Sequence, residues 1–156
     1  AIFISLVEEA LYISKQFYGD NHIETARLFS RMCFAKDKNN QQEVAINYCI
    51  KALDIHAKDL GYAHQDTSHI RRDLSQIYLS MGNYKQALDL SLEDLALNEN
   101  KYNRNSLEVS TSMRNLSLIY GEIGQYKNSK YYAEEGYNIL KNLEGLDTAN
   151  YFRRRS

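Results

Sequence analysis

Two stretches of this chain repeat each other at a fixed offset. Leu74-Ser75-Gln76-Ile77-Tyr78-Leu79-Ser80-Met81-Gly82-Asn83-Tyr84-Lys85 aligns without a gap on Leu116-Ser117-Leu118-Ile119-Tyr120-Gly121-Glu122-Ile123-Gly124-Gln125-Tyr126-Lys127, 42 positions later. One period earlier the same register meets Met32, Cys33, Ala35, Asn40 and Ala45, weaker matches of compatible size or turn type. The linker Tyr18-Gly19-Asp20-Asn21-His22 likewise stands 42 before Leu60-Gly61-Tyr62-Ala63-His64. A fixed period in this range is the mark of a stacked repeat architecture, and 156 residues hold about 3.7 periods. One domain of repeats is therefore expected: a half repeat at 1–18, full repeats near 22–60, 64–102 and 106–144, and a partial repeat at 147–156.

Each period reads as two helices. Met113, Leu116, Ile119 and Tyr120 share one helical face. Asn40, Gly82 and Gly124 mark the turn inside each pair, since both residue types tolerate left-handed backbone. Tyr126, Ser129, Tyr132, Ala133 and Tyr137 fall on the inner side of the last second helix. Small residues recur where helices would cross: Ala45, Ala87 and Ser129; Cys49, Ser91 and Ala133; Ala10, Ala52 and Gly136. Asp94 breaks the third series, and the sequence offers no reason. Helices are predicted near 2–17, 22–38, 42–58, 65–81, 84–99, 107–123, 126–142 and 148–156. The chain contains no Pro, which disfavours turn-rich β folds. The fold class expected is all-α: a right-handed α-solenoid of antiparallel helix pairs.

These residues resemble a tetratricopeptide repeat (TPR) array, and the long period with its Leu-Gly-x-x-His linker resembles the kinesin light chain-like subgroup. Asn115-Leu116-Ser117-Leu118-Ile119-Tyr120 followed by Gly124-Gln125-Tyr126 carries the likeness best. Asp73-Leu74-Ser75-Gln76-Ile77-Tyr78 with Gly82-Asn83-Tyr84 follows. Gln65 stands where the subgroup has Pro, and Lys36 and Gln42 replace expected tyrosines in the first full period. The resemblance implies a TPR superhelix that binds a protein or extended peptide, with first helices lining a concave groove. By position, that groove would present Arg27, Ser30, Arg31, Phe34 and Lys38, then His69, Arg72, Asp73 and Gln76, then Arg114, Asn115, Leu118 and Glu122. The partner-binding residues singled out are Arg27, Arg31, His69, Arg72, Gln76, Arg114, Asn115 and Leu118.

Charge counting adds a bias. Residues 25–39 carry Arg27, Arg31, Lys36 and Lys38 against Asp37 alone, while 84–99 carry Asp89, Glu93, Asp94 and Glu99 against Lys85 alone. A partly basic groove favours acidic or carboxylate-ended peptides, because guanidinium forks match carboxylates. Asn115 could serve a ligand backbone, an amide being donor and acceptor at once. Tyr78, Tyr84, Tyr120 and Tyr126 are expected in packing, and Cys33 and Cys49 as buried, inert thiols.

Other chemistries find no support. The four histidines lack metal-ligand spacing, and His22 and His64 recur at linker positions, which suits helix starts. No catalytic residue, cofactor or metal is expected, and the chain is not read as an enzyme. A net charge of −1 gives no case for nucleic acid, and no apolar run suits a membrane. Arg153-Arg154-Arg155 is read as solvated. Two cysteines without a disulfide framework suggest a reducing, cytoplasmic compartment. The start at Ala1 without Met, and apolar faces uncapped at both ends, suggest a segment of a longer protein. A structural role through end-to-end self-association, from Phe3 and Val7 to Tyr151 and Phe152, is the alternative. A sensor domain of a signalling protein is a third.

Overall fold

A computed structural model describes the backbone of residues 2–153 and the side chains of residues 2–145. Every regular element in it is a helix: α1 (Ile2–Tyr18), α2 (Ile23–Lys38), α3 (Gln42–Leu60), α4 (Gln65–Ser80), α5 (Tyr84–Lys101), α6 (Leu107–Glu122) and α7 (Tyr126–Arg153). The helices pack in sequential antiparallel pairs, α2 on α3 and α6 on α7 most extensively. The chain divides into two compact units, residues 1–90 and 91–156, with the boundary inside α5.

The period is written into the helix ends. His22, His64 and Ser106 cap α2, α4 and α6, each side chain accepting from a backbone N–H of the first turn. Those three positions lie one period apart. At the other end, Asn40, Gly82 and Gly124 adopt φ of 56°, 75° and 76°. Each is bracketed by the same two hydrogen bonds. Gln41 N–H reaches Lys36 O, Asn83 N–H reaches Tyr78 O and Gln125 N–H reaches Tyr120 O, at 2.9, 2.8 and 2.8 Å. The shorter bonds run Asn40 to Asp37, Gly82 to Leu79 and Gly124 to Gly121. This is the Schellman closure, which satisfies the last carbonyls and reverses the chain within three residues. Thr25 and Thr67, fully buried, donate to the carbonyls of Gly19 and Gly61 and tie each linker to the helix that follows.

Within residues 1–90 the core gathers Val7 and Leu11 of α1, Ala26, Phe29, Met32 and Cys33 of α2, Ala45, Cys49 and Ala52 of α3, and Ile70, Leu74 and Ile77 of α4. Within residues 91–156 it gathers Leu95, Val109, Met113, Leu116, Ile119, Tyr120 and Ile139. The small residues act as expected at three crossings: Ala45, Ala87 and Ala52 are completely buried. At Gly136 an added Cβ would lie 3.2 Å from the Ser110 carbonyl oxygen, so α6 and α7 meet there almost backbone to backbone.

Several expectations are corrected. The break placed near Gly145 does not occur; α7 continues through it to Arg153, because nothing at Gly145 forces a left-handed backbone. Tyr84, Tyr126 and Tyr137 are exposed, and so is Ala133. Tyr120 is buried and stacks on Tyr132 at 5.4 Å between centroids. Val7 is buried in the core and not available at an open end. Cys33 and Cys49 are buried at paired crossing positions, but they are joined as a disulfide, not free thiols. Their Cα atoms are 5.2 Å apart, as disulfides require. Asp94 now has its reason. Its carboxylate accepts from Ser112 Oγ at 2.7 Å and from Asn98 Nδ2 at 3.3 Å, so the α5–α6 crossing is closed by a buried polar cluster.

Candidate functional site

The first helices α2 and α4 lie side by side in the same direction and leave a groove between them. One cavity, about 260 Å³, is lined by Arg27, Ser30 and Arg31 of α2, His56 of α3, and Asp66, His69, Ile70 and Asp73 of α4. A second, about 390 Å³, is lined by Cys33, Phe34, Asp37 and Lys38 of α2 and by Asp73, Gln76, Ile77 and Ser80 of α4. Asp73 lines both, so the two cavities adjoin at that residue along one trough between α2 and α4. It follows α2 from Arg27 to Lys38, roughly 16 Å at helical rise. That length suits about five residues of extended peptide.

The helical period explains the lining. Arg27, Arg31, Phe34 and Lys38 are spaced by four, three and four, with Ser30 three after Arg27, and Asp66, His69, Asp73, Gln76 and Ser80 are spaced by three and four. The opposite faces of both helices bury Phe29, Met32 and Leu74 in the core, which fixes the outward stripe toward the trough.

The two walls differ in charge. Arg27, Arg31 and Lys38 stand on α2; Asp66 and Asp73 stand on α4 with His69. Arg27 is paired with Glu24 at 2.6 Å, an exposed pair, and Lys38 with the partly buried Asp37 at 3.6 Å. Lys38 also lies over the Phe34 ring at 5.4 Å. Arg31 and Asp73 have no ion pair or hydrogen bond among the described residues. The groove walls desolvate the Asp73 carboxyl and push it above the ordinary carboxylate value; the Arg72 and His69 charges pull it only partly back. Asp73 nonetheless reaches solvent.

Of the residues singled out from the sequence, the trough brings together Arg27, Arg31, His69 and Gln76. Arg72 is half-buried beside it and donates to Ser68 Oγ at 2.8 Å. Arg114 and Leu118 stand exposed on α6, four residues apart on one face of the second unit. Asn115 lies inside that unit, where its amide donates to Ser91 Oγ at 2.8 Å. The amide expected to face a ligand joins α5 to α6. Tyr151 and Phe152 lie outside the described side chains, and so does the run Arg153-Arg154-Arg155.

Three features escaped the sequence reading. Asp73 was expected in the groove, but Asp66 beside it, and with it an acidic wall, was hidden by counting charge on α2 and α5 only. Arg71 is fully buried and donates to the Tyr62 carbonyl at 2.9 Å. It occupies the register position of Phe29 and Met113, where an apolar residue is the expectation. The disulfide was legible only as equivalent small positions. Among the described residues no group of three metal-ligating side chains occurs, and no helix is long and apolar enough to cross a membrane.

Comparison with known proteins agrees with the periodicity. A family model described as tetratricopeptide repeat matches residues 37–93. A clustered mitochondria protein homolog of Aspergillus niger is 26% identical over 145 residues, covering 93% of this chain but 12% of that protein. The chain thus spans about an eighth of the length of the curated relatives it matches. Among solved structures, BtubC (BKLC) from P. vanneervenii superposes with a TM-score of 0.82 at 18% identity, over 91% of this chain and 57% of that one. A kinesin light chain-like protein of Podosopora anserina with nearly identical TPR-like repeats gives 0.79, also at 18% identity, over 90% of this chain and 66% of its own. Residues 37–93 thus match a tetratricopeptide repeat, and the chain has the fold of solved TPR-like repeat arrays, one of them from a kinesin light chain-like protein.

Proposed function

We propose that the chain is a non-catalytic scaffold or adaptor module that binds an extended segment of a partner protein in the trough between α2 and α4. The observation that carries this reading is that two cavities adjoin at Asp73 along helices that share a common core. TPR domains are generally protein-binding and non-catalytic, and the trough has the length, polarity and openness of a peptide site rather than an enclosed substrate pocket. The work would be done within a larger protein, as the curated relatives are much longer. A cytoplasmic place belongs to the same proposal. The Cys33–Cys49 bond weighs against it, because such bonds persist where conditions are oxidising.

The test is selection of peptides from a displayed library on the folded chain, followed by titration of a selected peptide against Arg31→Glu and Gln76→Ala. Both side chains are outside the core, so circular dichroism should stay unchanged. Loss of affinity of about tenfold in Arg31→Glu is the expected result. Undiminished binding in both variants would remove the trough from the reading.

A second reading has its own observation. Phe3, Leu6, Ile13 and Phe17 are exposed and follow i, i+3, i+10, i+14 spacing on α1, an uncovered apolar stripe. On this reading the chain is a structural segment that stacks through α1. A strict monomer by light scattering at high concentration argues against self-stacking.

A further inference from the structure

Arg31 and Asp73 face the same cavity from opposite walls, one cationic and one anionic, and neither has an ion pair or hydrogen bond among the described residues. Neighbouring charges of the trough are already engaged: Arg27 with Glu24, and Lys38 with Asp37. Arg31 and Asp73, one period apart, therefore stand as an open donor and an open acceptor at the same level of the trough, with Asp66 and His69 lining the same cavity. An extended peptide turns successive side chains to opposite sides. Two adjacent residues would reach the two walls together, whereas residues two apart would reach the same wall.

Resting on the peptide-binding reading above, we infer that the trough selects an extended segment carrying two adjacent residues of opposite charge, the acidic one to Arg31 and the basic one to Asp73. Phe34, exposed and next along α2, receives an apolar side chain on the Arg31 side. This differs from the acidic peptide that charge counting on α2 alone suggests. A uniformly acidic segment would satisfy Arg31 but set a carboxylate against Asp73. A uniformly basic one would do the reverse. Desolvation raises the Asp73 carboxyl, and the nearby Arg72, His69 and Lys38 charges offset it only in part, which agrees with a carboxylate that no cation contacts directly in the free protein.

The experiment uses fluorescein-labelled, end-blocked peptides on the whole chain, read by anisotropy at low and high salt. The core pairs are Glu-Lys adjacent, Glu-Ser-Lys, Glu-Glu and Lys-Lys in a constant flank of Ser and Leu. The adjacent Glu-Lys peptide is expected to bind about fivefold or more tighter than the other three, with the advantage shrinking in salt. Two variants assign the contacts. Asp73→Asn should abolish sensitivity to Lys→Gln in the peptide and keep sensitivity to Glu→Gln; Arg31→Gln should do the opposite. If the Glu-Glu peptide binds as well as Glu-Lys and still depends on Arg31, the mixed-charge inference fails and the peptide-binding reading stands. If Glu-Ser-Lys matches Glu-Lys, the adjacency fails. If no peptide binds and no variant matters, both readings fall together.

Discussion

Asp73 shows how a single residue can be placed at a cost to the fold. Its carboxyl is raised because the trough desolvates it more than Arg72 and His69 compensate. A folded-state pKa above the ordinary value means that the native protein binds the proton more tightly than the unfolded chain does. Stability from this group is therefore gained as pH falls through the raised value and lost as pH rises above it. Replacing it with Asn should raise the melting temperature slightly at neutral pH, by about 3 °C at most for so open a group. The gain should vanish at a pH where Asp73 is already protonated. The groups that face it are Arg72 and His69 on α4 and Asp37, Lys38 and Arg31 on α2, with His56 across from α3. Thermal melts of both proteins from pH 3.5 to 7.5 check this, provided the difference between variants is read and not the absolute curve. The resemblance to TPR arrays, carried over by position, placed Asp73 on the groove face. It could not show the residue to be unpartnered, since that depends on the reach of side chains from a second helix. Asn115 makes the same point in reverse: its position is periodic, but Ser91 on α5 takes its amide.

At the level of the helix, the α6–α7 crossing and the far end of α7 make a controlled pair. Gly136 is buried, with the Ser110 carbonyl oxygen 3.2 Å and the Met113 Cβ 3.4 Å from a would-be Cβ; Ser110 Oγ also donates to its carbonyl at 2.8 Å. Gly145 lies in the same helix with nothing within 4 Å. Gly145→Ala should stabilise by about 0.5–1 kcal/mol through helix propensity and unfolded-state entropy. Gly136→Val should destabilise by about 1–3 kcal/mol, since a backbone oxygen cannot swing aside as a side chain can. Urea denaturation of the two variants beside the parent measures both. The helix starts and turns were readable in advance, because a cap or a left-handed residue is chosen by local chemistry that recurs with the period. The merging of two expected helices into α7 was not, because Gly inside a helix and Gly in a linker look alike until the backbone is known.

Across the whole chain, the disulfide is confined to residues 1–90, and stacked repeats couple mainly to their neighbours. The bond ties α2 to α3 across a sequence separation of 16. Closing a loop of about that length is worth roughly 3 kcal/mol. Reduction should therefore lower the melting temperature and speed amide exchange in α2 and α3, while α6 and α7 keep their protection. Exchange mass spectrometry with and without reductant reads both. An unchanged melt would show that packing at these two positions suffices without the bond. Periodicity had predicted the two cysteines to be paired crossing residues; the bond itself is a matter of Cα separation, which spacing along a chain does not encode.

The buried cluster of Asp94, Asn98 and Ser112 bears on how such a chain can change. One period before Ser112 stands Ile70, and two before stands Leu28. If α4 took the place of α6, a hydrocarbon would meet the Asp94 carboxylate, and this buried acceptor would lose its shorter hydrogen bond, from Ser112, at a cost of about 1–3 kcal/mol. The repeats share an outline but not an interface, so they cannot be exchanged like identical beads. Their order along the chain is part of the fold.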